Sequence, residues 1–230
     1  MSGPLLVVLG GDPLGERVLS PAPHTRKLLN LAKSHQGITI ALSPRQLAVG
    51  WGNGAHRLFD GRAELERLLR GTHRDLIVIG RTDAIDSAIP ARTFEFDLQD
   101  GMHRLPPAAL LARPRRCVAL IGCMCGDSIG EPAIHAGADR ALATDCFVRP
   151  QFAFELAYSL AYALVAGGPC AGDAVAEALH LLRSRAGSLP DDGDPIATVL
   201  PFIRHYVALR GPDGGPHREG GTLGPMLIAG

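Results

Sequence analysis

Cys123 lies in the run Cys117-Val-Ala-Leu-Ile-Gly-Cys-Met-Cys-Gly126. Val118 to Ile121 read as a buried strand, and Gly122 to Gly126 as the sharp exit from its carboxyl end. Open α/β sheets carry their chemistry just outside that end. A thiol there is a candidate nucleophile, flanked in the same turn by Gly122 and Cys125. Nucleophilic work also requires a neighbouring group that helps to form the thiolate and can return a proton. The strand Leu76 to Ile79, which should feed the same site, is followed by Gly80-Arg81-Thr82-Asp83, with no histidine. Arg81 could hold a carboxylate or a peptide carbonyl with two hydrogen bonds, but arginine does not shuttle protons at neutral pH. His103, just after the Asp100-Gly101 turn, is the alternative base. The plainer reading of His103 is a solvated turn histidine, and that of Cys123 is a small buried apolar residue.

Other groupings give less. Cys123 and Cys125 form a C-x-C pair, and Cys117 and Cys146 could converge on it. Structural zinc sites, however, pair such motifs at spacings that this chain fits loosely, so no metal is expected and no cofactor is implied. The spacing also excludes C-x-x-C redox chemistry. Gly10-Gly11-Asp12-Pro13-Leu14-Gly15 follows an apolar run but lacks the G-x-G-x-x-G order and a P-loop lysine, and reads as a loop.

The elements that must position these residues alternate along the chain. Strands are expected at Leu5–Leu9, Ile38–Leu42, Asp75–Ile79, Thr93–Leu98, Val118–Ile121 and Arg140–Thr144, with a further one at Gln46–Trp51. Helical spacing marks His24–His35, Gly61–Arg70, Pro106–Ala112, Ser128–Gly137, Gln151–Ala166 and Gly172–Arg185. Ser188–Pro195 reads as a linker, and Ile196–Leu209 as a last helix or strand-helix element. Such alternation predicts an α/β fold, a mostly parallel sheet flanked by helices on both faces. The chain of 230 residues suits one domain over 1–210, followed by a glycine- and proline-rich tail, 211–230.

Bulk composition excludes several partners. Lysine and arginine number 23 and aspartate and glutamate 23, so no net charge argues for nucleic acid or an anionic membrane. No apolar run reaches the ~20 residues of a spanning helix. Without an export signal at the N-terminus, five cysteines are expected as reduced thiols of a cytoplasmic protein.

The stretch from about Asp75 to Arg185 resembles the CHAT branch of the caspase-like cysteine peptidases. Leu120-Ile-Gly-Cys-Met-Cys-Gly126 stands at that family's cysteine turn and Ala136-Gly-Ala-Asp-Arg-Ala-Leu-Ala-Thr144 at its Ala-Gly-Ala strand. Phe154 to Gly168 and Gly172 to Leu182 match its two following helices. The resemblance implies a caspase-like sheet, with residues 1–74 divergent or shortened. It also implies a histidine after Leu76–Ile79, where this chain has Gly80-Arg81.

The resemblance therefore implies a catalytically compromised relative that keeps a peptide groove. Gly80, Arg81, Thr82, Asp83, Gly122 and Cys125 would line it. The ligand would be a peptide or protein segment, such as a precursor peptide presented to modifying enzymes. Two alternatives stay open: an active peptidase using Cys123 and His103, with backbone N–H groups near Gly80 and Gly122 stabilising an oxyanion, and a structural or regulatory interaction domain. An open strand edge also suits a homodimer.

Overall fold

Leu, Ile and Val dominate the short apolar runs, which suits strands covered on both faces. The computed structural model describes residues 5–10, 23–42, 56–59, 61–84, 91–98, 100–166, 171–186 and 202–208. Its strands are β1 (Leu5–Leu9), β2 (Ile38–Leu42), β3 (His56–Leu58), β4 (Asp75–Ile79), β5 (Arg81–Thr82), β6 (Phe94–Leu98), β7 (Gly101–Leu105), β8 (Arg115–Ile121), β9 (Ala138–Thr144) and β10 (Ile203–Val207). Its helices are α1 (Pro23–Ser34), α2 (Arg62–Leu69), α3 (Pro107–Leu110), α4 (Gly126–His135), α5 (Pro150–Ala166) and α6 (Ala171–Ala186).

Seven strands form one sheet in the order β10-β9-β8-β4-β1-β2-β3. All neighbours run parallel except β10, which is antiparallel to β9. Alternate strand residues feed two apolar layers. Leu5, Val7, Ile77, Ala119 and Leu142 pack with α1, α5 and α6. Leu6, Val8, Leu76, Val118 and Ala141 pack on the other face with α2, α3 and α4. This is the expected α/β architecture, a mostly parallel sheet with helices on both faces, and it is consistent with a caspase-like fold. From β1 the chain moves outward through β2 and β3, then returns to β4 on the far side of β1. The topological switch point therefore lies between β1 and β4.

Four elements differ from expectation, the first being β3, His56–Leu58, where no strand was expected. Of the expected helix or strand-helix element Ile196–Leu209, Ile203–Val207 is a strand, with Ile203 in one apolar layer and Tyr206 in the other. The turn at Asp100 opens a strand, β7, so Thr93–Leu98 is the first arm of a hairpin. Arg81 and Thr82 form the short β5 against β6, giving a second, three-stranded antiparallel sheet. The expected strand Gln46–Trp51 and the tail 211–230 lie outside the described residues.

That small sheet rests on a row of glycines. Leu9, Ile79 and Ile121 are in register across β1, β4 and β8, so Gly10, Gly80 and Gly122 form the next row. A Cβ on Gly10 would come within 2.7 Å of the Phe96 ring, and one on Gly122 within 2.7 Å of Thr82 Cγ2. Glycine here makes room for β5 and β6 to lie across the strand ends.

Elsewhere, buried polar groups fix the frame. Arg115 caps the end of α2, its guanidinium donating to the Leu69 and His73 carbonyls. Tyr206 packs edge-on to α4 at Gly130, where a Cβ would lie 2.2 Å from its ring. Its hydroxyl donates to Asp127 Oδ1 at 2.5 Å, which holds the ring in place. Gly130→Ala would gain about 1 kcal/mol of helix propensity and lose about 1–3 kcal/mol to overpacking. A net loss of up to about 2 kcal/mol in urea denaturation is expected, relieved in the double variant with Tyr206→Leu.

His205 on β10 is buried, and its Nε2 has no hydrogen-bond partner among the described residues. Burial, with Arg140 adding to it, pushes the imidazole down to about 4 from the usual 6.5. The unfolded chain takes up this proton at higher pH than the folded one. Stability from this group is thus full above pH 6.5 and declines as pH falls towards 4, by roughly 3 kcal/mol in all. In His205→Leu the decline in melting temperature across that window is expected to flatten.

Candidate functional site

The cysteine turn is gripped from both sides by threonines. Thr144, buried at the end of β9, accepts the Gly122 N–H at 3.1 Å, and its hydroxyl donates to the Gly122 carbonyl. The Thr144 carbonyl also accepts the Cys125 N–H at 2.8 Å. From β5, the Thr82 hydroxyl donates to the Cys123 carbonyl at 2.7 Å. Met124 donates to the Cys146 carbonyl and accepts the Ala91 N–H, each at 3.0 Å. This wiring holds Met124 at φ 53°, a left-handed conformation that costs a side-chain-bearing residue on the order of 1–2 kcal/mol. Gly126, at φ 25°, has no such freedom to change: a Cβ there would meet Asp145 Oδ1 at 2.3 Å.

Cys123 itself is 5% exposed. Its sulfur accepts the Val148 N–H at 3.4 Å, so the connection between β9 and α5 lies over it. The neighbouring thiols are poor nucleophiles. Burial raises the Cys146 thiol to about 12, with Cys123 and then Asp145 adding to it. Burial likewise raises Cys117 to about 12, with Asp75 contributing. Cys125 is fully buried against α4, and burial, then Cys123, holds its thiol well above the usual value.

Across from the turn, the two residues of β5 divide their roles. Thr82 is buried and faces the cysteine turn. Arg81 turns the other way, its Nε 3.1 Å from Glu95 Oε2. Arg104 on β7 meets the other oxygen of the same carboxylate, Nε to Oε1 at 3.0 Å. The result is a ladder Arg81–Glu95–Arg104 across β5, β6 and β7. Asp83 is also engaged, accepting the Arg92 and Thr93 N–H groups at 2.7 and 2.9 Å. Partial burial would raise its carboxyl, but these backbone bonds, first Thr93 and then Arg92, outweigh that and hold it below the usual value.

His103 stands on β7 opposite Phe96, with β6 between it and β5. Its Nε2 is 2.8 Å from Asp100 Oδ1, a bond that keeps the Asp100 carboxyl below its ordinary value. The fold therefore gathers Gly80, Thr82, Gly122 and Cys123 at one point. It directs Arg81 into the ladder, Asp83 into its loop, Cys125 into the core and His103 to the outer strand. The two N–H groups expected to stabilise an oxyanion are spent internally: Gly80 donates to the Ile121 carbonyl at 3.2 Å and Gly122 to Thr144.

Thr144 and Val148 shape this site as much as Cys123 does, and sequence reasoning had not singled them out. A hydroxyl closing an otherwise apolar strand, Ala141-Leu-Ala-Thr144, was the available signal for the first. Val148 carried none, because it acts through its backbone. Among the described residues, no three His, Cys, Asp or Glu side chains are grouped as metal ligands. No described helix is long and apolar enough to cross a membrane. Comparison with family models and with curated proteins finds no match for the chain.

Proposed function

We propose that this chain is a catalytically silent caspase-like protein that binds an extended peptide or protein segment, such as a precursor peptide handed to modifying enzymes. The observation that carries the reading is that Thr82, in the segment after β4 where the family resemblance implies a histidine, commits its hydroxyl to the Cys123 carbonyl. The adjoining cation, Arg81, is committed to Glu95. The thiol lies beneath Val148, and the two candidates for activating it are engaged elsewhere, Arg81 by Glu95 and His103 by Asp100. Loss of turnover does not remove a peptide-binding surface, because extended peptides are held mainly through main-chain hydrogen bonds to strand edges.

The test pairs binding with turnover. Against a mixed peptide array, the wild-type chain and Cys123→Ala are expected to give the same pattern of retained peptides, with no cleavage by mass spectrometry. Cleavage that vanishes in Cys123→Ala would overturn the reading. One observation favours this second reading, an active cysteine peptidase: His103 is paired with a carboxylate, as an orienting partner would hold a base. It requires that cleavage also be lost in His103→Ala.

A further inference from the structure

Among the described residues, β10 is the outer strand of the main sheet and pairs with β9 alone. Its register sets His205 opposite Leu142 and Val207 opposite Arg140. Opposed residues share a face, so His205 looks into the layer of Leu142 and Ile203, and Arg140 is its diagonal neighbour there. The ring is buried, with Nε2 lacking a hydrogen-bond partner among the described residues. A neutral imidazole tolerates that place. An imidazolium would sit beside a guanidinium with a ring N–H unmet, a costly arrangement in a low-dielectric layer.

The other described titratable groups around it leave that cost standing. Cys117, opposite Arg140 on β8, shares the layer as a neutral thiol. Asp139, next to Arg140 along β9, falls on the opposite face. Of the helices on the His205 side, α5 brings Glu155, which is paired with Lys27, and the Glu177 and His180 side chains of α6 are exposed. On the other face, α4 brings Asp127 to Tyr206, while Glu131 and His135 meet each other at the surface.

The same strand also ties down the carboxyl end of the sheet. The Phe202 carbonyl accepts the Asp145 N–H at 2.8 Å, and Arg204 Nη2 lies 3.1 Å from Asp145 Oδ2. Tyr206 holds Asp127 at the start of α4. Asp145 leads into Cys146, whose carbonyl accepts the Met124 N–H in the cysteine turn.

We propose that β10 is an acid-releasable strand: protonation of His205 is relieved by local detachment of β10 from β9, which frees Asp145 and Asp127 and loosens the cysteine turn. The device is independent of the peptide-binding reading. Water solvates the imidazolium of a detached strand, whereas a docked strand must bury it, so acid favours detachment while β1, β2 and β4 stay paired. The docked ring takes up its proton near 4 and a solvated one near 6.5. Detachment therefore becomes about 25-fold more frequent between pH 7.5 and 5.0.

The test is residue-resolved amide exchange by NMR on the full chain at pH 7.5 and 5.0, corrected for the intrinsic pH dependence of exchange and repeated in low urea. The β10 amides are expected to open more readily than those of β1 and β4, with a smaller urea dependence, and to lose about 25-fold in protection at pH 5.0. The Asp145 and Met124 amides are expected to follow them. In His205→Leu the acid loss is expected to vanish. In Arg140→Gln it is expected to shrink, because a like charge is gone from beside the ring. The wild-type comparison stands even if a variant fails to fold. Exchange of β10 with the same free energy and urea slope as β1 and β4 would mean that acid acts on the whole fold, and overturns the proposal. So does an acid loss that persists in His205→Leu, or protection at Asp145 and Met124 that is unchanged while β10 opens.

Discussion

Arg116→Met is expected to lower the free energy of unfolding by about 3–5 kcal/mol, read as a shift in the urea midpoint at unchanged slope. Asp75 is wholly buried at the start of β4, and Arg116 grips it with two parallel bonds, Nε to Oδ1 at 3.0 Å and Nη2 to Oδ2 at 2.6 Å. Methionine fills much of the space of the arginine stem and supplies no donor. The carboxylate is then left in the interior without its counter-charge, which costs more than the pair itself contributes. The double variant Asp75→Leu/Arg116→Met is expected to regain most of the loss, because it removes both charges rather than one. A double variant no more stable than Arg116→Met would mean that the arginine matters through packing alone.

Gly122→Ala is the second large effect, about 3 kcal/mol of destabilisation. The added methyl would lie 2.7 Å from Thr82 Cγ2, 2.9 Å from the Gly80 carbonyl oxygen and 3.1 Å from Phe94. One of these neighbours is backbone in the central ladder and cannot step aside. Thr82 can move, but only by giving up its bond to the Cys123 carbonyl. Gly80→Ala, whose nearest contact is a Phe94 ring carbon at 3.3 Å, is expected to cost less than about 1 kcal/mol. The comparison separates close approach from a general intolerance of side chains at strand ends. Equal losses in the two variants would contradict it.

The central strands were legible because their chemistry is local. Leu5–Leu9, Ile38–Leu42 and Asp75–Ile79 are found with the expected bounds, since each is a short, mostly apolar run. The neighbours were less legible. Arg115 and Arg116 precede the expected strand Val118–Ile121, yet both lie within β8, because buried partners from α2 and β4 neutralise or accept their charge. His56–Leu58 was missed as too short and too polar. Gly10, Gly80 and Gly122 read as turn residues, and their real reason, the small sheet lying on them, is a contact between segments far apart in sequence. The same limit applies to the site. Cys123 could be placed at a strand end from its own neighbourhood. That Arg81 would turn to Glu95, and that Thr82 would hold the turn, depends on the register of β5 against β6, which no local pattern encodes.

The Val148 amide resting on the Cys123 sulfur has a kinetic consequence. Cys123 is nearly buried beneath that amide, so alkylation is expected to proceed through rare local openings of the chain around Val148. When closing outpaces chemistry, the observed rate is the opening equilibrium multiplied by the intrinsic rate. Iodoacetamide modification of Cys123 is then expected to accelerate in low urea, well before the melting transition, and the Val148 amide to exchange with the same free-energy dependence. The thiol would in that way serve as a clock for motion of the segment that leads into α5.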